Sequence, residues 1–227
     1  MRTIKDPRVR KKEFLNTAKE LFFTRGYEQT SVDAIIKKIG LSKGSFYYYF
    51  QSKEDLLDEL TKELSLQILA EIKKIANRDD LDAISKLNRS FSVAANIKLD
   101  NIELIKTLLK AFYDDKNFYF RYKLYQKNID IIAPVFFNII QQGIKEGAFH
   151  TPYPLEASRM IFQLAGTLTE KIPKLIIEVN EKLENYKKLE REYGNYQLAI
   201  ERILGAPEGS INFFSANLLN NFLRKIK

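Results

Sequence analysis

The sequence predicts an all-α protein, and two features of its composition and patterning carry that prediction. The 227 residues include only 9 glycines and 6 prolines, which argues against many short strands joined by tight turns. Apolar residues recur at helical spacing along most of the chain. The first such series is Phe14, Leu15, Ala18, Leu21 and Phe22. With 45% hydrophobic and 29% charged residues, the composition is that of a folded protein with a buried core.

The first two helices are predicted from their stop and start signals. Gly26 stands at the usual stop position after the first apolar series. Thr30 is predicted to cap a short second helix, with Asp33 in its first turn. Gly40 then breaks this helix.

The third helix is predicted to have two different faces. Ser42 is its expected cap, and the helix is expected to run from Lys43 to Phe50. Phe46 and Phe50 lie four residues apart, so they share the face that packs inward. The other face carries one cation, a small residue and aromatic hydroxyls, at Lys43, Gly44, Tyr47 and Tyr48.

A longer helical region is predicted after residue 51. Residues 52–55 form a capping box that opens a fourth helix, and the polar residues 77–80 are the best candidate for a hinge. Pro134 is expected to kink or interrupt its helix, and residues 147–154 to form a turn. The remaining helices are predicted at residues 81–97, 101–112, 117–146, 155–170, 173–193, 197–204 and 212–226.

The excess positive charge lies almost entirely at the start of the chain. Residues 1–53 hold 12 Lys and Arg against 5 Asp and Glu, a net charge of +7, whereas residues 54–227 hold 25 against 24. We therefore expect two domains with this boundary, 1–53 and 54–227. A small basic unit joined to a larger neutral one is typical of nucleic-acid binding. An anionic membrane surface would attract the same charge, so the sign alone does not decide.

The order helix, short helix, Gly-containing turn, short helix is that of a helix-turn-helix with an extra leading helix. Gly44 would let DNA approach the backbone closely, and Lys53 places a cation at a helix start. Four basic residues precede or open the first helix, and two alternatives are open for them: a frayed, solvated terminus or contact with a DNA phosphate. They are Arg8, Arg10, Lys11 and Lys12.

Four stretches of the first 57 residues form an ordered series with fixed spacing. They are FLNTAKELF at 14–22, GYEQTSV at 26–32, IGLSKGSFYYYF at 39–50 and KEDLL at 53–57. In combination they resemble the tetracycline-repressor (TetR) family of bacterial transcription regulators. The resemblance implies a dimer whose two recognition helices enter successive major grooves of a near-palindromic operator in double-stranded DNA. It also implies a larger helical domain that binds a small-molecule effector and moves the DNA-binding heads apart.

The resemblance also assigns DNA contacts to particular residues of this chain. The tyrosines have an alternative role in packing against the first helix, although successive residues fan ~100° apart and at most two of the three can share the inner face. The expected contacts are Thr30 or Ser31, Lys43, Gly44, Ser45, Tyr47, Tyr48, Tyr49 and Lys53.

The C-terminal half contains an aromatic-rich set for which core packing is the default explanation. The resemblance suggests that a subset lines an effector cavity, and an aromatic lining favours a small, largely apolar effector. The helices around residues 155–175 and 196–222 are candidates for the dimer interface. The candidate effector contacts are Phe91, Phe112, Tyr113, Tyr122, Tyr125, Phe137 and Phe162.

The sequence contains few of the residues that enzymes and transition-metal sites commonly use. The absence of cysteine excludes disulfides, thiolate metal sites and a cysteine nucleophile. The single histidine, His150, lies in a Pro-rich turn, where a surface or hydrogen-bonded role is expected. Patterns for a nucleophile elbow, a P-loop or a dinucleotide fold are missing. We therefore expect no catalytic residue, metal or cofactor, while a mechanism using carboxylates alone stays open.

The expected function is that of a cytoplasmic, ligand-responsive DNA-binding regulator, most often a repressor in this family. The charged start does not read as a secretory signal, and no stretch approaches the ~18 apolar residues of a membrane span. Two alternatives stay open: a DNA-bound adaptor that contacts other proteins rather than a metabolite, and a peripheral membrane protein that uses the basic N-terminus.

Overall fold

The computed structural model of the chain describes residues 6–102, 104–105, 118–165 and 183–212. Over these residues the backbone forms α-helices joined by turns, without any strand, which confirms the all-α prediction. The chain divides into two compact units, one of residues 1–66 and 101–121 and the other of residues 67–100 and 122–227. These units are defined by spatial contact, and the expected boundary between functional domains at residue 53 stays a prediction.

The first unit begins with helix α1, Pro7–Arg25. The Asp6 carboxylate accepts a hydrogen bond from the backbone N–H of Arg8, and Pro7 suits the first helical position because no partner is needed there. Gly26 ends the helix with a φ of +86°, a conformation that favours glycine. The predicted stop at Gly26 is confirmed.

Helix α2, Val32–Ile39, corrects one prediction about capping. Ser31 is the cap, because its hydroxyl accepts a hydrogen bond from the backbone N–H of Ala34 at 3.1 Å. Thr30, predicted as the cap, is fully buried, and its hydroxyl is within hydrogen-bond distance of the carbonyls of Leu21 and Gly26. Thr30 therefore fastens the turn to α1.

Helix α3, Lys43–Tyr47, is shorter than the predicted Lys43 to Phe50. Ser42 caps it as predicted, accepting from the backbone N–H of Ser45. The chain then tightens, because the N–H of Tyr49 donates to the carbonyl of Phe46 only three residues before it, at 2.9 Å. Phe50 still faces inward, so the predicted division of faces is kept although the helix ends early.

The aromatic core of this unit holds α3 against α1. The ring of Phe14 meets the rings of Phe46 and Phe50 edge-on, with centroids 5.6 and 6.0 Å apart. All three side chains are at most 1% exposed. Burial of a phenylalanine contributes about 1.5–3 kcal/mol, so this cluster fixes where α3 lies.

Helix α4, Lys53–Ala76, opens with hydrogen bonds close to those of the predicted capping box, although the return bond comes from the residue before the cap. The Ser52 hydroxyl accepts from the N–H of Asp55 at 3.1 Å, and the Asp55 carboxylate accepts from the N–H of Gln51 at 2.9 Å. The helix contributes residues to both compact units. The polar residues after it form the predicted break.

The second unit contains helix α5, Ala83–Asp100, the helix Leu183–Leu204, and all but the first four residues of the helix Phe118–Lys145. Residues 154–165 are also helical, after the predicted turn. Helix α5 begins two residues later than predicted because the Asp82 carboxylate caps it, accepting from the N–H of Ser85 at 2.7 Å.

The structure excludes two of the interruptions predicted in the second unit. The helix Phe118–Lys145 continues through Pro134, so the proline does not interrupt it, and the alternative of a kink at Pro134 stays a prediction. The predicted gap between helices 173–193 and 197–204 is absent, because Leu183–Leu204 runs on through Gly194. Glycine inside a helix costs only about 1 kcal/mol, and burial of Tyr193 and Ile200 on either side offsets it.

A polar network that includes the buried Lys86 ties α5 to the end of the helix Phe118–Lys145. The ammonium of Lys86, a residue only 5% exposed, donates to the Gln142 side-chain carbonyl at 2.7 Å. The Gln142 amide nitrogen donates to the Leu81 carbonyl and the Glu146 carboxylate, which accepts in turn from the N–H of Ala83. Each buried group in this chain of contacts thereby gains a partner.

Candidate nucleic-acid interface

The turn between α2 and α3 is set by backbone hydrogen bonds. Gly40 adopts the left-handed conformation, with a φ of +74°, and its N–H donates to the carbonyl of Ile36 at 3.0 Å. The N–H of Leu41 donates to the same carbonyl at 3.2 Å. This arrangement satisfies the end of α2 and redirects the chain into α3.

The exposed side of α3 carries two tyrosine rings beside a glycine whose backbone is accessible to solvent. Tyr47 is 56% exposed and Tyr48 is 76% exposed, although both are large aromatic residues. A Cβ added to Gly44 would meet no atom within 4 Å, and Gly44 has no positive φ. Neither packing nor backbone conformation therefore requires glycine at this position. The surface that we call the α3 outer face consists of Lys43, Gly44, Tyr47 and Tyr48.

The ammonium of Lys43 is paired across the helix-turn-helix. It lies 2.9 Å from a carboxylate oxygen of Asp33, in the first turn of α2, and both side chains are about two-thirds exposed. The hydrogen bond and charge of Asp33 raise the pKa of Lys43. Lys43 therefore remains a cation at neutral pH.

Lys53 lies at the start of α4, and its ammonium is directed inward. It donates to the backbone carbonyl of Tyr27 at 2.9 Å and sits over the Tyr27 ring, 4.0 Å from the centroid. Burial, followed by the charge and hydrogen bond of Glu54, raises the pKa of Tyr27 well above its usual range. The neutral phenol donates to the Glu54 carboxylate at 3.3 Å.

The other predicted contacts differ in how far solvent reaches them. Ser31 is exposed, whereas Ser45 and Tyr49 are half-buried. The Tyr49 ring lies 4.9 Å from the Tyr48 ring and 6.0 Å from the Phe14 ring, so it bridges the outer face and the core. Thr30 has no exposed surface. Of the two predicted DNA contacts before α2, Thr30 and Ser31, only Ser31 is therefore accessible to DNA.

The basic residues at the start of α1 are exposed to different degrees. Arg10 forms an ion pair with Glu13, and Lys11 with Glu59 of α4, both at 2.7 Å. The Arg8 side chain is 93% exposed, and Lys12 is exposed as well. Arg8 and Lys12 are therefore the members of this group that solvent reaches most freely.

Sequence reasoning missed the partners that hold the candidate cations. The sequence places Asp33 in the first turn of α2 and Tyr27 within the family motif, and it predicts no lysine partner for either. Both partners come from a different helix or turn than the lysine they hold. Spacing along one helix does not reveal such contacts, since they depend on how α2, α3 and α4 pack together.

The candidate effector contacts are only partly described. Phe91, Phe137 and Phe162 are half-buried, and the Phe91 ring packs 5.5 Å from that of Phe136. Phe112 and Tyr113 lie outside the described residues, as do the side chains of Tyr122 and Tyr125. A role for these residues in binding an effector stays a prediction.

His150 lies in the predicted turn and is exposed. Its backbone N–H donates to the Leu204 carbonyl at 2.7 Å, and its Nδ1 lies 3.2 Å from the Gly205 carbonyl. The predicted role as a hydrogen-bonded turn histidine is confirmed. In the described parts of the chain, no group of His, Asp or Glu is arranged to hold a metal ion. None of the helices described there has the length and apolar character needed to cross a membrane.

Comparison with known proteins points to one family. The family model "Bacterial regulatory proteins, tetR family" matches residues 14–60, and the model "Tetracyclin repressor-like, C-terminal domain" matches residues 115–173. The first match covers α1 from residue 14 onward, α2, α3 and the start of α4, and it contains the whole α3 outer face.

Individual relatives extend over most of the chain. The fatty acid metabolism regulator protein of Bacillus subtilis is 28% identical over 177 residues, which cover 74% of this chain and 84% of that protein. The transcriptional repressor KstR2 of Rhodococcus jostii is 24% identical over 157 residues, covering 65% and 71% of the two chains. A TetR-family regulator from Pectobacterium atrosepticum has the same fold, with a TM-score of 0.65 and 16% identity over 91% of this chain and all of that one.

The helix-turn-helix with its exposed tyrosines, the two family matches and the shared fold lead to the same conclusion. The chain belongs to the TetR family of transcriptional regulators.

Proposed function

We propose that this regulator is a ligand-responsive repressor. Two copies bind a near-palindromic operator, and a small, largely apolar effector releases them. The observation that carries the DNA-binding part is the α3 outer face: two tyrosines more than half exposed beside a glycine with open space around it. Large aromatic side chains are seldom left in water without a binding role when they stand next to one another.

The contacts on DNA follow from the chemistry of this face. The Tyr47 and Tyr48 hydroxyls donate to phosphate or base edges, and Gly44 lets the DNA backbone approach α3 without a Cβ in between. Lys43 supplies a charge that stays positive at neutral pH. Phe46 behind them holds the helix at a fixed depth. Ser31, Ser45, Tyr49 and Lys53 complete the proposed set.

Dimerisation follows from the way such helices read DNA. A five-residue helix contacts a few base pairs only, so two heads at half-sites one helical turn apart, ~34–36 Å, are needed for specific binding. Light scattering of the purified chain at micromolar concentration should give twice the 26.5 kDa of the single chain. A mass of one chain would contradict the proposal.

The response to an effector is a coupling between two binding events. An effector that binds the DNA-incompetent dimer more tightly weakens operator binding by the same factor by which the operator weakens effector binding. Two relatives support this part, since one is named a repressor and another a regulator of fatty acid metabolism. From the second relative we take an apolar effector for this chain.

Selection of fragmented genomic DNA by the purified protein tests the proposal. We expect recovery of a near-palindrome, loss of its binding in Tyr47→Ala, and full binding in the matched control Tyr153→Ala. Tyr153 is 68% exposed and belongs to the second unit, so its removal changes surface aromaticity without changing α3. Equal binding by Tyr47→Ala and wild type at every salt concentration would overturn the contact assignment.

A further inference from the structure

The helix-turn-helix contains an anion of its own at the place where DNA is proposed to bind. Asp33 lies in the first turn of α2, and its carboxylate is 2.9 Å from the ammonium of Lys43, the first residue of α3. The Asp33 side chain is 65% exposed and that of Lys43 is 69% exposed. The pair therefore stands on the solvent side of the helix-turn-helix.

Other acidic residues of the first unit hold their cations away from α3. Asp6 pairs with Arg8, and Glu20 on α1 pairs with Lys38 at the end of α2. Among the ion pairs of the described residues, Lys43–Asp33 is the one that engages the α3 outer face.

A carboxylate in this position competes with a phosphate for the same cation. Both present oxygen acceptors to an ammonium, and both form charge-assisted hydrogen bonds of similar length. Lys43 must exchange or share its Asp33 contact when it contacts DNA.

We propose that Asp33 is an internal competitor for Lys43 and limits the affinity of this protein for DNA. The inference rests on the proposed function, since it needs Lys43 at the DNA interface. Asp33 then acts on binding through Lys43 and sets how tightly each protomer holds its half-site. The expected change in affinity is unusual for a residue of a DNA-binding surface, because removal of the Asp33 charge strengthens DNA binding.

The expected effect is modest because the ion pair is exposed. Exposed pairs of this kind change equilibria by about two- to fivefold. Asp33→Asn should therefore tighten binding by about two- to fivefold for each DNA-bound protomer. The gain should appear on specific and non-specific DNA alike, because a phosphate contact carries no sequence information.

The test compares four variants of the 227-residue chain by fluorescence anisotropy on two DNA duplexes. The duplexes are the fragment recovered by the genomic selection and a scrambled fragment of the same length and composition. The variants are Asp33→Asn, Lys43→Ala, the double variant, and Glu20→Gln as the control. Glu20 is also an exposed acid in an ion pair of the first unit, but its partner is Lys38.

The proposal expects Asp33→Asn to bind both duplexes more tightly, Glu20→Gln to bind as wild type does, and the double variant to match Lys43→Ala. Unchanged or weaker binding by Asp33→Asn, with a clear loss in Lys43→Ala, would overturn the inference and leave Lys43 as a contact. A gain that persists in the double variant, or that Glu20→Gln shares, would also overturn it, because the cause would be overall charge.

Two further results separate the inference from the proposed function. If Lys43→Ala binds as wild type does, Lys43 is not a contact, and the inference fails together with that assignment. A melting curve of each variant shows whether α2 tolerates the change. If Asp33→Asn is poorly folded, Asp33→Ser provides a second uncharged side chain at the same position, with the same expected gain.

Discussion

In the first compact unit the ion pairs Lys38–Glu20 and Lys43–Asp33 have side chains 40–69% exposed, whereas in the second unit Lys86 and Glu201 are 5% and 3% exposed. An exposed pair contributes about 0–1 kcal/mol to stability, so the charges of these two exposed pairs are available to a polyanion at little cost. A buried charge needs all its partners, and the loss of one costs more. The exposed pair beside α3 is thus suited to adjusting binding, whereas the buried Lys86 and Glu201 help to maintain the fold.

The largest expected loss of stability comes from a buried residue of the first unit, where the contrast between exposed and buried charges does not apply. Phe46→Ala removes the inner anchor of α3 and should lower the free energy of unfolding by about 3–5 kcal/mol, because it empties a site against Phe14 and Phe50. Chemical denaturation measures this loss. Tyr48→Ala on the exposed side is the matched control and should change stability by less than about 0.5 kcal/mol. Similar losses in the two variants would mean that α3 does not have distinct inner and outer faces.

The second unit supplies the next test. Glu201→Ala should lower the free energy of unfolding by about 1–3 kcal/mol, because the Glu201 carboxylate accepts from the buried N–H of Ile211 at 3.0 Å. Glu190→Ala, an exposed residue of the same helix, serves as control. Thermal or chemical unfolding of both variants checks the difference. Equal stability of Glu201→Ala and wild type would remove the contrast between the two units.

The smallest expected effect concerns an exposed pair taken alone. Glu20→Gln should change the free energy of unfolding by no more than about 0.5 kcal/mol, even though the Lys38 Nζ and Glu20 Oε1 atoms are only 2.5 Å apart. Any change should shrink as salt is raised from low to physiological concentration, because screening weakens exposed charges. A loss above about 1 kcal/mol that is insensitive to salt would show that exposure does not govern the strength of these pairs.

The sequence predicts the helix-turn-helix well because local signals agree with packing there. Gly26, Gly40 and Ser42 each mark a helix boundary that the structure confirms. The exchange of Thr30 for Ser31 as the cap has a tertiary cause. Both residues have a hydroxyl suited to capping, and burial of Thr30 against α1 leaves Ser31 to cap α2.

Prediction is weaker where local and tertiary preferences differ. Gly194 and Pro134 are helix breakers in isolation, yet both lie inside helices of the second unit, which burial of their neighbours stabilises. Within the candidate interface, the sequence indicates which residues of α3 face outward. It does not indicate that Asp33 and Tyr27 hold the two lysines, because those contacts depend on the packing of separate elements.

The open space around Gly44 also bears on how variants of this protein would be selected. With no neighbour within 4 Å of a new Cβ and no positive φ, alanine at this position would lower the backbone entropy of the unfolded chain and favour α3 by up to about 1 kcal/mol. A search for heat-resistant variants would therefore favour Gly44→Ala. The same methyl group would stand on the surface proposed to approach DNA, so selection for heat resistance and selection for gene control would act in opposite directions at this residue.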